Sequence, residues 1–184
     1  LERAKTAREA IKVVTELVAE FGYASSGESF SISDPEEAWI LEMISKGPEK
    51  LGAVWVARKV PDGYISGHAN QARIQQFPLN QPKNTLYAPD VIDFAREMGW
   101  YDGKDEDFSF ADTYAPLDFG ALRFCEARVW SLFRRAAPSA ELPFELIQGE
   151  VIEKRLPLWI KPDEKLTTAQ VFALMRDHYE DTPL

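Results

Sequence analysis

The stretch SFSISDPEEAWILEMISKGPEKLGAVWVARKVPDGYISGHANQARI, residues 29–74, reads as a series of extended segments broken by turns. SFSISD sends Phe30 and Ile32 to one side and serines to the other, the two-residue period of a half-buried strand. Asp34-Pro35-Glu36 makes a turn, and AWILEMI follows it. AVWVARKV is the third run, bounded by Gly52 and Pro61. GYISGHANQARI, after the turn Pro61-Asp62-Gly63, is the fourth. The connections are short, so the spacing predicts antiparallel neighbours.

Working outward, Ala7, Ala10, Ile11, Val14, Leu17, Val18 and Phe21 recur at helical spacing, and Gly22 offers a stop. Beyond the strands, residues 77–89 are rich in Pro, Asn and Gln and predict a loop. A short helix over 89–98 is closed by Gly99, and DGKDEDFS reads as an acidic surface loop. A second long helix is expected from about Pro116 to Ala137, ended by Pro138. LPFELIQGEVIEKRLPLWI holds one or two extended segments. LTTAQVFALMRDHYE is the last helix, with Thr167 and Gln170 at capping-box spacing. The class is α+β: a strand meander with helices on one or both faces, expected as a single domain over 1–184.

Composition narrows the function. Hydrophobic residues are 45% and aromatics 12%, so the chain should fold. A net charge of −9 argues against nucleic acid and anionic membrane surfaces, which would repel it. No apolar run approaches the ~20 residues of a membrane span. The single cysteine excludes an internal disulfide and a cysteine-based zinc site, and fits a reducing cytoplasm. Residues 1–19 are charged and helical in pattern rather than a signal peptide.

That cysteine lies in PLDFGALRFCEARVW, residues 116–130. At 100° per residue Leu122, Cys125, Val129, Leu132 and Phe133 share one side, the apolar stripe. Arg123 lies roughly 200° away, grouped with Phe119, Glu126, Ala127, Trp130 and Arg134. Cys125 is therefore expected to face the core as a small hydrophobe. A nucleophile would need a neighbouring base, cation or helix N-terminus. His68 and His178 sit in different elements, outside any HExxH pattern, and read as surface or half-buried rings. Neither a nucleophile elbow, a phosphate loop nor a calcium loop is present, and no metal or cofactor is expected.

HANQARI is less bland. On a strand, His68, Asn70 and Ala72 would point one way, Gln71 and Arg73 the other. So many polar groups make a poor core strand, so either its end is solvated or these groups line a cleft.

Five stretches, taken in order, resemble a bacterial dipeptidase family of N-terminal-nucleophile cysteine hydrolases, to which secernins are related. They are YASSGESFSISDPEEAWILEMISKGP, VWVARKVPDGYISGHANQARI, SFADTYAPLDFGALRFCEARVWSLFRR, and PLWIKPDEKL followed by VFALMRDHYEDTP. The resemblance implies an αββα sandwich and hydrolysis of dipeptides with broad side-chain tolerance. It also implies a nucleophilic cysteine at the mature N-terminus, whose own α-amino group, of pKa about 8, serves as base. This chain starts at Leu1, so the resemblance implies an internal fragment without its nucleophile, inactive alone. Related thiol amidohydrolases carry an oxyanion-binding Asn on a strand, matched here by Asn70. They also carry an Arg near the thiol in an SRF-type motif, matched by Arg123 in LRF. Arg123 would favour the thiolate and hold a substrate carboxylate. Otherwise Asn70 satisfies a turn and Arg123 pairs with Glu126 or Glu28. His68 and Arg73 are the secondary, substrate-binding candidates. Open sheet edges in such a fragment lead us to expect a homo-oligomer. The alternative is a non-enzymatic, secernin-like interaction protein on the same fold.

Overall fold

The computed structural model describes residues 3–148 and 155–184. They gather into two compact units. One runs to Val60 and includes Ile74–Pro116; the other joins Pro61–Arg73 to Leu117–Leu184. Each is α+β, with an antiparallel sheet flanked by helices.

The first unit is built on the strands read from the sequence. β1 (Gly27–Ser33), β2 (Ala38–Ser45) and β3 (Ala53–Lys59) form an antiparallel meander. In register, Phe30 faces Leu41 and Ile32 faces Trp39, so the alternating residues of β1 meet those of β2. Trp39, Leu41 and Met43 are buried with Ala53 and Ala57, and α1 (Ala7–Phe21) covers them with Ala7 and Ile11. β2 is central and buried along both faces, which is why its pattern is continuous rather than alternating. Its other face carries Glu42, 1% exposed, which accepts the Ile74 backbone N–H at 2.9 Å. The expected loop contains one further strand, β5 (Thr85–Tyr87), paired with β3. Then come α2 (Val91–Glu97) and α3 (Phe110–Tyr114), a helix that the sequence pattern did not signal.

The ends of α1 follow local chemistry. The Thr6 side chain accepts from Glu9 N–H, and Gly22, at φ 88°, returns its N–H to Val18 C=O. Its apolar stripe is wider than what is covered, since Leu17 and Phe21 are exposed.

Asp34 couples this helix to the β1–β2 turn. Its carboxylate accepts from Ala7 N–H at 2.8 Å, Glu36 N–H at 2.8 Å and Glu37 N–H at 2.9 Å. These backbone donors, Ala7 first, hold its carboxyl below the usual carboxylate range. A depressed folded pKa contributes stability above the unfolded value of about 3.9, and that stability is lost as pH falls through the folded value. The wild type is thus expected to exceed Asp34→Ala in urea midpoint at neutral pH, with the gap closing as pH falls below the unfolded value of about 3.9. A gap independent of pH would mean the carboxylate charge is not what matters.

The second unit holds a two-stranded sheet, β4 (Ile65–Ser66) with β6 (Trp159–Ile160). Here the fourth predicted strand needs correction. Only Ile65–Ser66 is extended in a sheet, and its partner is β6, not β3. Residues 67–74 leave the sheet and run irregularly. The long predicted helix is present with a change of pitch. Ala121–Glu126 is π-helical and passes directly into α4 (Ala127–Ala136). Val129, Trp130, Phe133 and Ile147 make the core of this unit with Ala69 and Leu156. α5 (Thr168–Met175) starts at the predicted capping box, with Thr167 and Gln170 bonding reciprocally. Of the extended segments expected in LPFELIQGEVIEKRLPLWI, β6 is present, and residues 149–154 lie outside the described residues.

Candidate functional site

The site begins with a buried charge pair in the second unit. Arg73 and Glu126, 1% and 0% exposed, meet with Nε to Oε1 at 2.7 Å. The remaining guanidinium N–H groups donate to the backbone carbonyls of Gly67 at 2.7 Å and Pro157 at 2.9 Å. Glu126 Oε2 accepts the Leu156 backbone N–H at 3.1 Å. The Arg73 guanidinium lies over the Phe133 ring. Nearby, Arg155 donates to Ala72 C=O at 2.9 Å. A buried pair persists only when its spare donors and acceptors are satisfied, and here they are. The consequence is a chain path: residues 67–73 need no ladder partners, because Arg73 ties Gly67 back across the loop.

The π-helical turn explains why Glu126 reaches this pair. With i→i+5 bonding, seen in Ala127 N–H to Leu122 C=O, side chains shift around the axis relative to an α-helix. Glu126 rotates inward and Cys125 moves to the edge. Cys125 is half-buried, not at the centre of the apolar stripe as 100° spacing suggests. Its thiol donates weakly to Asn70 C=O, Sγ to O 3.7 Å. Glu126, expected in the group of Arg123 off the apolar stripe and as one possible partner of Arg123, is instead fully buried and held by Arg73.

Asn70 sits exposed at the outer point of the loop, at φ 52°. Asn tolerates this left-handed backbone better than most residues. Arg128 Nη2 donates to Asn70 Oδ1 at 3.0 Å and lies 3.9 Å from Cys125 Sγ, while Arg128 Nε donates to Phe124 C=O at 2.7 Å. A guanidinium has no acceptor, so the amide atom facing it must be the oxygen. Nδ2 then faces away from Arg128, and among the described residues it donates to nothing. The structure thus brings Asn70, Arg128 and Cys125 together.

The other sequence candidates separate. His68 is half-buried on the wall of a cavity of about 250 Å³ beside Asn70. Arg123 makes no hydrogen bond or ion pair among the described residues, and lines a neighbouring cavity of about 220 Å³ with Phe124 and Arg128. Arg73 is enclosed, its guanidinium committed to Glu126 and backbone carbonyls. That geometry makes it a residue that positions the loop. Sequence reasoning missed Arg128. The signal was there: it follows Cys125 by three residues, the spacing of neighbours on a helix face. Among the described residues no cluster of His, Cys, Asp and Glu suits a metal. No helix among them is long and apolar enough to cross a membrane.

Comparison with known proteins places the chain in context. The profile of peptidase family C69 matches residues 1–184. A protein of Salmonella dublin named probable dipeptidase is 28% identical over 181 residues, covering 97% of this chain and 38% of that protein. A probable dipeptidase of Latilactobacillus sakei is 25% identical over 177 residues, covering 96% of this chain and 34% of its own. Probable dipeptidase A of Streptococcus pyogenes serotype M3 is 29% identical over 184 residues, covering 97% and 36%. The chain spans well under half the length of these curated relatives.

Proposed function

The chain belongs to peptidase family C69, and from that premise we propose that it supplies the oxyanion-binding and substrate-holding part of a cysteine-type dipeptidase. The nucleophile in this reading is a cysteine other than Cys125, at the mature N-terminus of the complete protein, on an αββα sandwich. The names of the relatives support the substrate class. The observation that carries the reading is the Arg128–Asn70 hydrogen bond, which sets an otherwise unengaged Nδ2 at an exposed loop point.

The chemistry assigns each group a role. The cysteine thiolate attacks the scissile carbonyl carbon, and its oxygen gains negative charge. Asn70 Nδ2 donates to that oxygen, where a fixed donor matters most. The α-ammonium of the cysteine protonates the departing amine. Its free amine form then takes a proton from the water that opens the thioester. Arg128 is a positioning residue, holding the Asn70 amide in its donating orientation. Arg123, an unpaired guanidinium beside it, receives the substrate's terminal carboxylate. His68 borders the substrate from the neighbouring cavity. Cys125 packs and takes no part in bond making.

Release of free amino acids from a dipeptide panel tests this. The complete protein is expected to turn over and to keep its activity in Cys125→Ala. This chain alone is expected to be inert. Turnover by this chain that Cys125→Ala abolishes would make Cys125 the nucleophile and overturn the reading.

A further inference from the structure

The cavity of about 250 Å³ next to Asn70 has, beyond His68 and Arg128, aliphatic walls to which the catalytic reading gives no role. Its walls are Val129, Leu132, Leu174 and Met175, aliphatic or thioether side chains, with His68, Asp177 and Tyr179 as the polar groups besides Arg128. The charges that border it are already spent. Asp177 accepts from the Ser131 hydroxyl, from Arg135 at 2.6 Å and from Tyr179 N–H at 3.2 Å. Arg128 is turned to Asn70 and to Phe124 C=O. A charged ligand group entering here would meet Asp177 and Arg128 already engaged, with the neutral Tyr179 side chain beside them, and would lose its water, whereas an apolar group meets apolar walls.

Its location fixes what would enter. Gly67, His68 and Ala69 line the cavity and run straight into Asn70. A carbonyl whose oxygen sits on Asn70 Nδ2 places its residue beside this loop, so its side chain is within reach of the cavity that Gly67, His68 and Ala69 line. Gly67 adds no side chain to this wall; a Cβ there would sit in ordinary contact with Leu132 at 3.5 Å. We propose that this cavity is the subsite for the acyl-side residue of the dipeptide, and that it selects aliphatic and thioether side chains over charged ones. The proposal rests on the dipeptidase reading.

The test uses the complete protein with Leu-Gly, Asp-Gly, Gly-Leu and Gly-Gly. Leu-Gly is expected to exceed Asp-Gly in kcat/KM by more than about tenfold. Met175 is 74% exposed, so Met175→Lys leaves the core intact. That variant is expected to narrow the Leu-Gly to Asp-Gly ratio at least about tenfold. Hydrolysis of all four with no preference, or a ratio that Met175→Lys leaves alone, overturns the subsite and spares the dipeptidase reading. A preference that follows the second residue, seen with Gly-Leu, assigns the cavity to the leaving side and also overturns it. No hydrolysis of any of the four, Gly-Gly included, sinks both.

Discussion

Asn70→Ala in the complete protein is expected to lower kcat about 10²–10³-fold with little change in KM. The reason is the timing of the interaction. Nδ2 meets a neutral carbonyl oxygen in the bound substrate and an oxyanion in the transition state, so the bond strengthens as the reaction proceeds. Asn70→Asp separates charge from shape. An aspartate would pair with Arg128 and present a second negative oxygen to the oxyanion, so it should be at least as damaging as alanine. Arg128→Met, with the amide present but free to turn, is expected to lie between wild type and Asn70→Ala, again in kcat. In Asn70→Ala the added Arg128→Met should do little more, because its partner is gone. Rates measured at saturating dipeptide decide the matter. If Asn70→Ala turns over like wild type, the oxyanion assignment is wrong.

Much of the first unit was legible because its signals are local. Phe30 and Ile32 alternate, and Pro and Gly mark the turns that set β1 against β2 and β3. Gly22 and the Thr167–Gln170 box end or start helices through contacts within one turn. β5 escaped because three residues carry no period to count. The second unit was misread for a different reason. HANQARI has strand-like chemistry, but a side chain 53 residues away in sequence fixes its path, through Arg73 and Glu126. No spacing rule reports a partner at that distance. The π-helical turn compounds this, since its wider turn shifts side chains away from the faces assigned to them at 100°. It moved Cys125 to the rim and Glu126 to the centre. Asn70 came from family resemblance rather than from strand geometry, and its left-handed backbone shows that a strand was the wrong setting for it.

Glu126→Ala is expected to destabilise the fold by about 3–5 kcal/mol, the usual result of leaving one member of a buried pair behind. Arg73, 1% exposed, would keep its charge in an enclosed site with the Glu126 carboxylate gone. The Leu156 N–H would lose its acceptor as well. Adding Arg73→Met to Glu126→Ala should restore part of the loss, since the stranded charge is removed. It should not restore all of it, because the carbonyls of Gly67 and Pro157 would then lack their donor. Urea unfolding of the four proteins in this cycle gives the coupling directly. A single-variant loss under about 1 kcal/mol would mean that the pair is not what holds the loop. The same cycle bears on function. Residues 67–73 carry Asn70, and Gly67 and Arg73 at its two ends are joined by the Arg73 side chain. An isosteric Glu126→Gln that still folds should therefore lower kcat without Asn70 being touched, because the amide would no longer be held where the oxyanion forms.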